Sequence, residues 1–252
     1  MERRTVLGRL SWQRGEVVAT QAETARAKSV TLALPNGMGH RAGQHVDVRL
    51  TSEDGYQAER SYSIASPPEE EPRVTLTVER LDDGEVSPYL TDELRVGDKL
   101  ELRGPIGGYF VWEVRMGGPL LLVAGGSGIV PLMAMLRHRA AAGSTVPTRL
   151  LYSSRSLEEV IYRDELDRLV KSSTMLEVVQ TLTRVQPPGW TSYHRRIDTQ
   201  MLREVAWPPD QHPLMYICGP TPFVETAAAS LVTLGHEPAR VKTERFGPTG
   251  EA

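Results

Sequence analysis

The sequence predicts a two-domain chain, an antiparallel all-β unit followed by an open, doubly wound parallel sheet. Three observations predict it. Up to about Trp112 the apolar residues come in short alternating runs. From Pro119 onward they come in solid runs instead, and between those solid runs the apolar spacing becomes helical.

Taken in order, "GEVVATQAET", "KSVTLALP", "QHVDVRLT" and "RVTLTVER" each alternate and are rich in β-branched residues. Gly, Pro and polar clusters separate them, which suits an antiparallel sandwich or barrel. One short helix, "SPYLTDEL" (Ser87 to Leu94), interrupts the series. The join is "EVRMGGP" (Glu113 to Pro119), so the expected domains are 1–113 and 114–252. Beyond it, Leu120–Ala124, Arg149–Tyr152, Leu176–Val179 and Leu214–Cys218 are continuous apolar strands of the kind buried on both faces. Ile129, Leu132, Met133 and Leu136 mark one helix face, and Leu157, Val160, Ile161, Leu166, Leu169 and Val170 a second. Val224, Ala227, Ala228 and Leu231 mark a third. Strands alternating with helices give right-handed βαβ crossovers and hence the doubly wound sheet.

Composition narrows the partners. The formal net charge of −3 over 252 residues argues against nucleic acid, which draws a basic surplus. The single cysteine, Cys218, excludes an internal disulfide framework, a four-cysteine zinc site and a four-cysteine iron–sulfur cluster. Six scattered histidines, His45 among them, lack metal-ligand spacing and read as surface or packing residues. The start "MERRTVLGRLSWQRG" has no apolar run of signal-peptide length, and no stretch approaches a membrane span. A cytoplasmic protein is expected.

Two stretches point to chemistry. In "LLLVAGGSGIVPLMAML", Gly125, Gly126, Ser127 and Gly128 follow a strand and precede a helix. Backbone N–H groups there can approach a pyrophosphate closely, and Pro131 is tolerated in a first helical turn. The alternative is a glycine turn that binds nothing. In "ERSYSIAS" (Glu59 to Ser66), strand alternation sends Arg60 and Tyr62 to one face and Ser61 and Ser63 to the other. One face then offers a cation for phosphate and a ring for stacking, unless the arginine simply pairs with a glutamate.

"RSYS" (Arg60–Ser63), "GEVSPYL" (Gly84–Leu90), "GPIGGYF" (Gly104–Phe110), "GGSGIVPL" (Gly125–Leu132), "YICGP" (Tyr216–Pro220) and "TERFG" (Thr243–Gly247) occur in that order. Together they resemble the ferredoxin–NADP reductase family of flavoproteins over nearly the whole chain. The resemblance implies a six-stranded antiparallel FAD-binding barrel followed by a Rossmann-like nucleotide domain. It implies electron transport by hydride transfer from a reduced nicotinamide nucleotide to FAD, with Ser63 at the flavin and Cys218 at the nicotinamide as catalytic residues. FAD contacts would come from Arg60, Ser61, Tyr62, Ser63, Val78, Gly84, Val86, Ser87 and Phe246. NADP contacts would come from Gly125, Gly126, Ser127, Gly128, Cys218 and Gly219. Val130 stands where many relatives have threonine, which removes a hydroxyl there.

The nucleotide choice turns on arginine. "YSSRS" and "TLTRV" end two strands with Arg155 and Arg184, and "YHRRID" adds Arg195 and Arg196. In bacterial flavodoxin reductases, which this layout resembles, arginines at similar places grip the 2′-phosphate. Two charge-assisted bonds of ~1.5–3 kcal/mol each would favour NADPH by roughly 10²–10⁴-fold. The other reading is that these arginines are solvated rim charges. Ferredoxin-fused relatives carry the ferredoxin's cysteines, and one cysteine cannot, so a separate acceptor (ferredoxin, flavodoxin or another redox protein) is expected. The alternative function is a non-catalytic flavin-binding electron-transfer subunit docked to a larger enzyme.

Overall fold

A computed structural model of the chain describes residues 10–247. Residues 1–9, at the start expected to carry no leader, and the outer limits of the two expected domains lie outside the described residues. Eleven strands and four α-helices are described: β1 (Trp12–Ala22), β2 (Ala27–Ala33), β3 (His45–Thr51), β4 (Gln57–Ser63), β5 (Arg73–Glu79), β6 (Lys99–Ile106), β7 (Leu120–Gly125), α1 (Ile129–Ala141), β8 (Thr148–Ser154), α2 (Arg163–Ser172), β9 (Leu176–Leu182), α3 (Thr199–Val205), β10 (Leu214–Pro220), α4 (Thr221–Thr233) and β11 (Val241–Phe246).

The first six strands form one antiparallel sheet in the order β4-β3-β6-β1-β2-β5. A bridge between Ile64, just past β4, and Leu76 of β5 brings the two edges together and rolls the sheet into a barrel. Alternation sets the interior: Val46 and Val48 of β3 and Leu100 and Leu102 of β6 point inward and are buried. The short helical turn Tyr89–Glu93 plugs one end with Leu90, followed by Leu94.

The remaining strands form a parallel sheet in the order β11-β10-β7-β8-β9. α1 and α2 pack on one face, against residues such as Leu122 and Leu150, and α3 and α4 on the other, against Leu121 and Ile217. Every residue of β7 is buried, as a central strand covered on both faces must be. The join is short and ordered: Trp112 is fully buried and its Nε1 donates to Gly117 O at 3.1 Å.

Three elements differ from the sequence expectation. The helix expected over Leu157–Val170 is broken: Leu157–Glu159 is a single turn, Val160 and Ile161 are buried, and α2 begins at Arg163. The break is Tyr162, left-handed at φ 63, whose ring is turned inward and buried. β11 is a fifth parallel strand with too few apolar residues to announce itself, because it lies at the sheet edge. α3 is a further helix, capped by Asp198 accepting from the Met201 N–H at 2.7 Å. No helix among the described residues is long and apolar enough to cross a membrane.

Candidate functional site

In the parallel sheet, β8 and β9 follow on one side of β7, and β10 and β11 lie on the other. The chain therefore reverses direction between β7 and β10, and open α/β sheets bind ligands beyond the strand ends at such a point. Gly125–Gly128 leaves β7 there, and Cys218 and Gly219 leave β10 beside it. A Cβ on Gly128 would lie 2.1 Å from the Cys218 carbonyl oxygen, so only glycine lets the two loops touch. Gly126 takes φ +55 with open space around it, as a loop turning toward a ligand requires. Ser127 is half-buried in the same turn, and Pro131 sits in the first turn of α1.

Facing these loops is a cavity of about 280 Å³ between barrel and sheet. Ser61 and Ser63 enter it from the barrel, and Cys218, Arg245 and Phe246 from the sheet. Register explains the grouping. Ser63 pairs with His45 and Ser61 with Asp47 on the outer face of β3–β4. Cys218 pairs with Glu244 and Pro220 with Phe246 on β10–β11. Arg60 and Tyr62 take the opposite face, across from Val48 and Val46. Tyr62 packs half-buried on the barrel core, and burial pushes its phenol up to about 12. Arg60 is exposed and donates to Glu85 Oε2 at 2.9 Å and to Glu59 O at 2.7 Å.

Two further groups line the cavity that sequence reasoning did not single out. Glu244 has a buried Oε2 with no hydrogen-bond partner among the described residues, and burial raises its carboxyl to about 7. Its Oε1 lies 3.9 Å from His45 Nδ1. Burial lowers the His45 imidazole below its ordinary value, with Asp47 partly opposing. Burial would also raise Asp47, but hydrogen bonds from Ser61 and Arg103 hold it low. Burial, reinforced by Glu244, drives the Cys218 thiol upward, so it stays neutral and contributes shape rather than a nucleophile. No local signal marks His45 or Glu244, since only the register across the seam brings them together.

The remaining residues of the expected site divide into backbone and side-chain contributors. Val78 and Val86 are barrel-core residues, so only their backbone can meet a ligand. Ser87 is buried, and its Oγ accepts the Leu81 N–H at 3.0 Å, which leaves its proton free to donate. Gly84 packs against that hydroxyl, 2.8 Å from where its own Cβ would stand. Arg155 and Arg184 meet at the carboxyl ends of β8 and β9, where the Arg184 N–H donates to Arg155 O at 2.9 Å. Both side chains are exposed, Arg155 lying 3.8 Å from Glu159. Arg195 is turned away to Asp198 at 2.8 Å, while Arg196 is exposed with no ion pair among the described residues.

A hydroxyl, a neutral thiol, an orphaned carboxyl oxygen and an aromatic around one cavity fit a flat heteroaromatic ring with polar edges. The volume lies near the low end for ligand pockets, enough for a ring system but not a dinucleotide. The tail of such a molecule would extend over the surface, toward Arg60 on one side and the glycine loop on the other.

Comparison with known proteins agrees with this division. The oxidoreductase FAD-binding domain family matches residues 15–111, and the oxidoreductase NAD-binding domain family matches residues 122–229. Ferredoxin–NADP reductase B of Sorangium cellulosum is 37% identical over 71% of this chain and 73% of its own length. NADH-cytochrome b5 reductase 1 of Aspergillus terreus is 30% identical over 81% of this chain and 70% of its own. The chain spans as little as 56% of other curated relatives. Among solved structures, the flavohem-like FAD/NAD binding domain of nitric oxide dioxygenase from Vibrio cholerae superposes with a TM-score of 0.83. It is 25% identical and the match covers 94% of this chain and 99% of that one.

Proposed function

The chain belongs to the ferredoxin–NADP reductase-like family of FAD- and NAD(P)-binding oxidoreductases, and from that premise we propose that it moves a hydride from NADPH to FAD and hands the electrons to a separate carrier protein. The convergence of Ser63, Cys218 and Phe246 on one seam cavity carries this reading. A bound flavin supplies the exchange between two-electron and one-electron chemistry.

The chain's own residues supply the rest. Arg60 binds pyrophosphate by exchanging its exposed pairing with Glu85, the Tyr62 ring supports the flavin, and Ser61 and Ser63 meet its polar edge. The backbone of Val78, Gly84, Val86 and Ser87 completes the FAD contacts. Gly125, Gly126, Ser127, Gly128, Cys218 and Gly219 hold the nicotinamide half of NADP. Phe246 helps exclude water, and Glu244 holds a proton near neutral pH beside His45. Arg155, Arg184 and Arg196 receive the 2′-phosphate; the backbone bond joining the first two sets them side by side at the strand ends.

The FAD-binding domain is taken as 1–113 and the nucleotide domain as 114–252, in line with the separate family matches. The acceptor is a ferredoxin, flavodoxin or other redox protein, in the cytoplasm. The test is extraction and identification of the flavin, with anaerobic titration by both reduced nicotinamides. A yellow protein carrying FAD and bleached first by NADPH is expected. A colourless protein that takes up no FAD, or a yellow one indifferent to both nucleotides, would overturn the reading.

A further inference from the structure

One side chain far along α1 joins the two halves of the molecule. Arg137 forks onto Glu165 of α2, with Nε to Oε1 at 2.8 Å and Nη2 to Oε2 at 2.6 Å. Its remaining terminal nitrogen, Nη1, donates to the Ala65 carbonyl of the barrel at 2.8 Å. The guanidinium also lies 4.8 Å over the ring of Tyr162. That ring reaches back to the barrel, its hydroxyl donating to Thr77 Oγ1. With its side chain 18% exposed, Arg137 is a largely desolvated cation, held by Glu165 on the sheet side and by the Ala65 carbonyl across the seam. Such bonds are stronger than exposed ones and cost more to break.

α1 is anchored at two points, its start beside Cys218 and Arg137 beside the chain that follows Ser63. Its start follows Gly128, in contact with the Cys218 carbonyl. Arg137, eight residues into the helix, is about 12 Å along it at 1.5 Å per residue. There it grips Ala65, two residues beyond Ser63. The Ala65 segment is itself fixed, because the Ile64 N–H donates to Gln44 O at 2.9 Å and the Ala65 N–H to Thr75 O at 2.7 Å. The helix is therefore a strut with Cys218 at one end and the Ser63 strand at the other. The left-handed Tyr162 that breaks the expected helix gains a purpose, since it places a ring beneath the guanidinium.

We propose that Arg137 is a positioning residue, which through α1 fixes the separation of Ser63 and Cys218 and with it the meeting of the two cofactor rings. What that separation serves rests on the function proposed above; the strut itself does not. Reacting atoms must be held within a fraction of an ångström, so a loosened strut should slow hydride transfer without releasing either ligand.

The test compares Arg137→Met, which keeps the stem over Tyr162 but loses the fork, with Arg137→Lys and Glu165→Gln. In Arg137→Met we expect wild-type flavin content, a nucleotide KM within about twofold and kcat lower by about tenfold to a hundredfold. Arg137→Lys should recover part of kcat, because an ammonium can keep the Ala65 bond. Without any nucleotide, amide hydrogen exchange over residues 60–66 should be faster in Arg137→Met. Should that variant not fold, Glu165→Gln is read the same way and should show a smaller loss of the same kind. An unchanged kcat, or a fall in flavin content that parallels kcat, overturns the positioning role. If neither nucleotide reduces the wild-type protein, the functional reading fails and exchange alone decides the strut: faster supports it, unchanged overturns it.

Discussion

The barrel and the parallel sheet build their shares of the site from different material. On the barrel, β4 is an edge strand whose site groups are side chains: exposed Arg60 and Ser61, half-buried Tyr62 and Ser63. On the sheet, the loops leaving β7 and β10 contribute backbone: glycines packed between two central strands, beside a buried thiol. The barrel can therefore lose a binding group and keep its fold. The sheet cannot, because the glycines that bring backbone to a ligand also let β7 and β10 approach.

The sharpest way to break that contrast is Gly128→Ala. The added methyl would meet the Cys218 carbonyl at 2.1 Å, and a backbone oxygen cannot swing aside. A cost of about 3 kcal/mol or more is expected, lowering the melting temperature by about 5–10 °C or preventing folding. Gly126→Ala is the control, at about 1 kcal/mol for its positive φ in open space. A Gly128→Ala protein that melts like the wild type would erase the difference between the two regions.

Arg60→Ala tests the other side. Exposed ion pairs contribute about 0–1 kcal/mol, so the melting temperature of flavin-free protein should barely move. FAD should bind roughly 10–100-fold more weakly, measured by flavin fluorescence on titration. Full flavin content in this variant would remove Arg60 from the site.

Glu244 sits where the two regions meet, and it sharpens the comparison through pH. Burial raises its folded pKa to about 7 from an ordinary 4.5. The folded chain then holds this proton more tightly than the unfolded chain. Stability from this group is complete below about 4.5 and is lost as pH rises through about 7. Glu244→Gln cannot ionise, so at pH ~8 it should be more stable than the wild type by about 3 kcal/mol, converging with it toward pH ~4. Denaturant melts at the two pH values check this, and a constant difference would contradict the burial. The smallest effect expected is Arg184→Ala, raising KM for NADPH about tenfold and leaving NADH turnover nearly unchanged. Equal losses with both nucleotides would make the arginines ordinary rim charges.

How much was legible follows the same division. The buried strands β7, β8 and β10 announce themselves as solid apolar runs, and the glycine loop by its composition, because those constraints are local. Alternation in β3 and β5 likewise gives the barrel interior from the residues alone. β11 escaped because "VKTERF", at a sheet edge, alternates charge with little apolar content. The break at Tyr162 escaped because a left-handed tyrosine is held by tertiary contacts, here Arg137 and Thr77, that no local spacing encodes. His45 and Glu244 escaped for a third reason: each is unremarkable in its own strand, and only the seam sets them 3.9 Å apart.

The most direct measurement is a crystal structure of the full chain with FAD and a pyridine nucleotide bound together. The flavin and nicotinamide rings should lie in contact between Ser63 and Cys218, with Phe246 at their edge. Rings bound on separate surfaces in every conformation seen would contradict it.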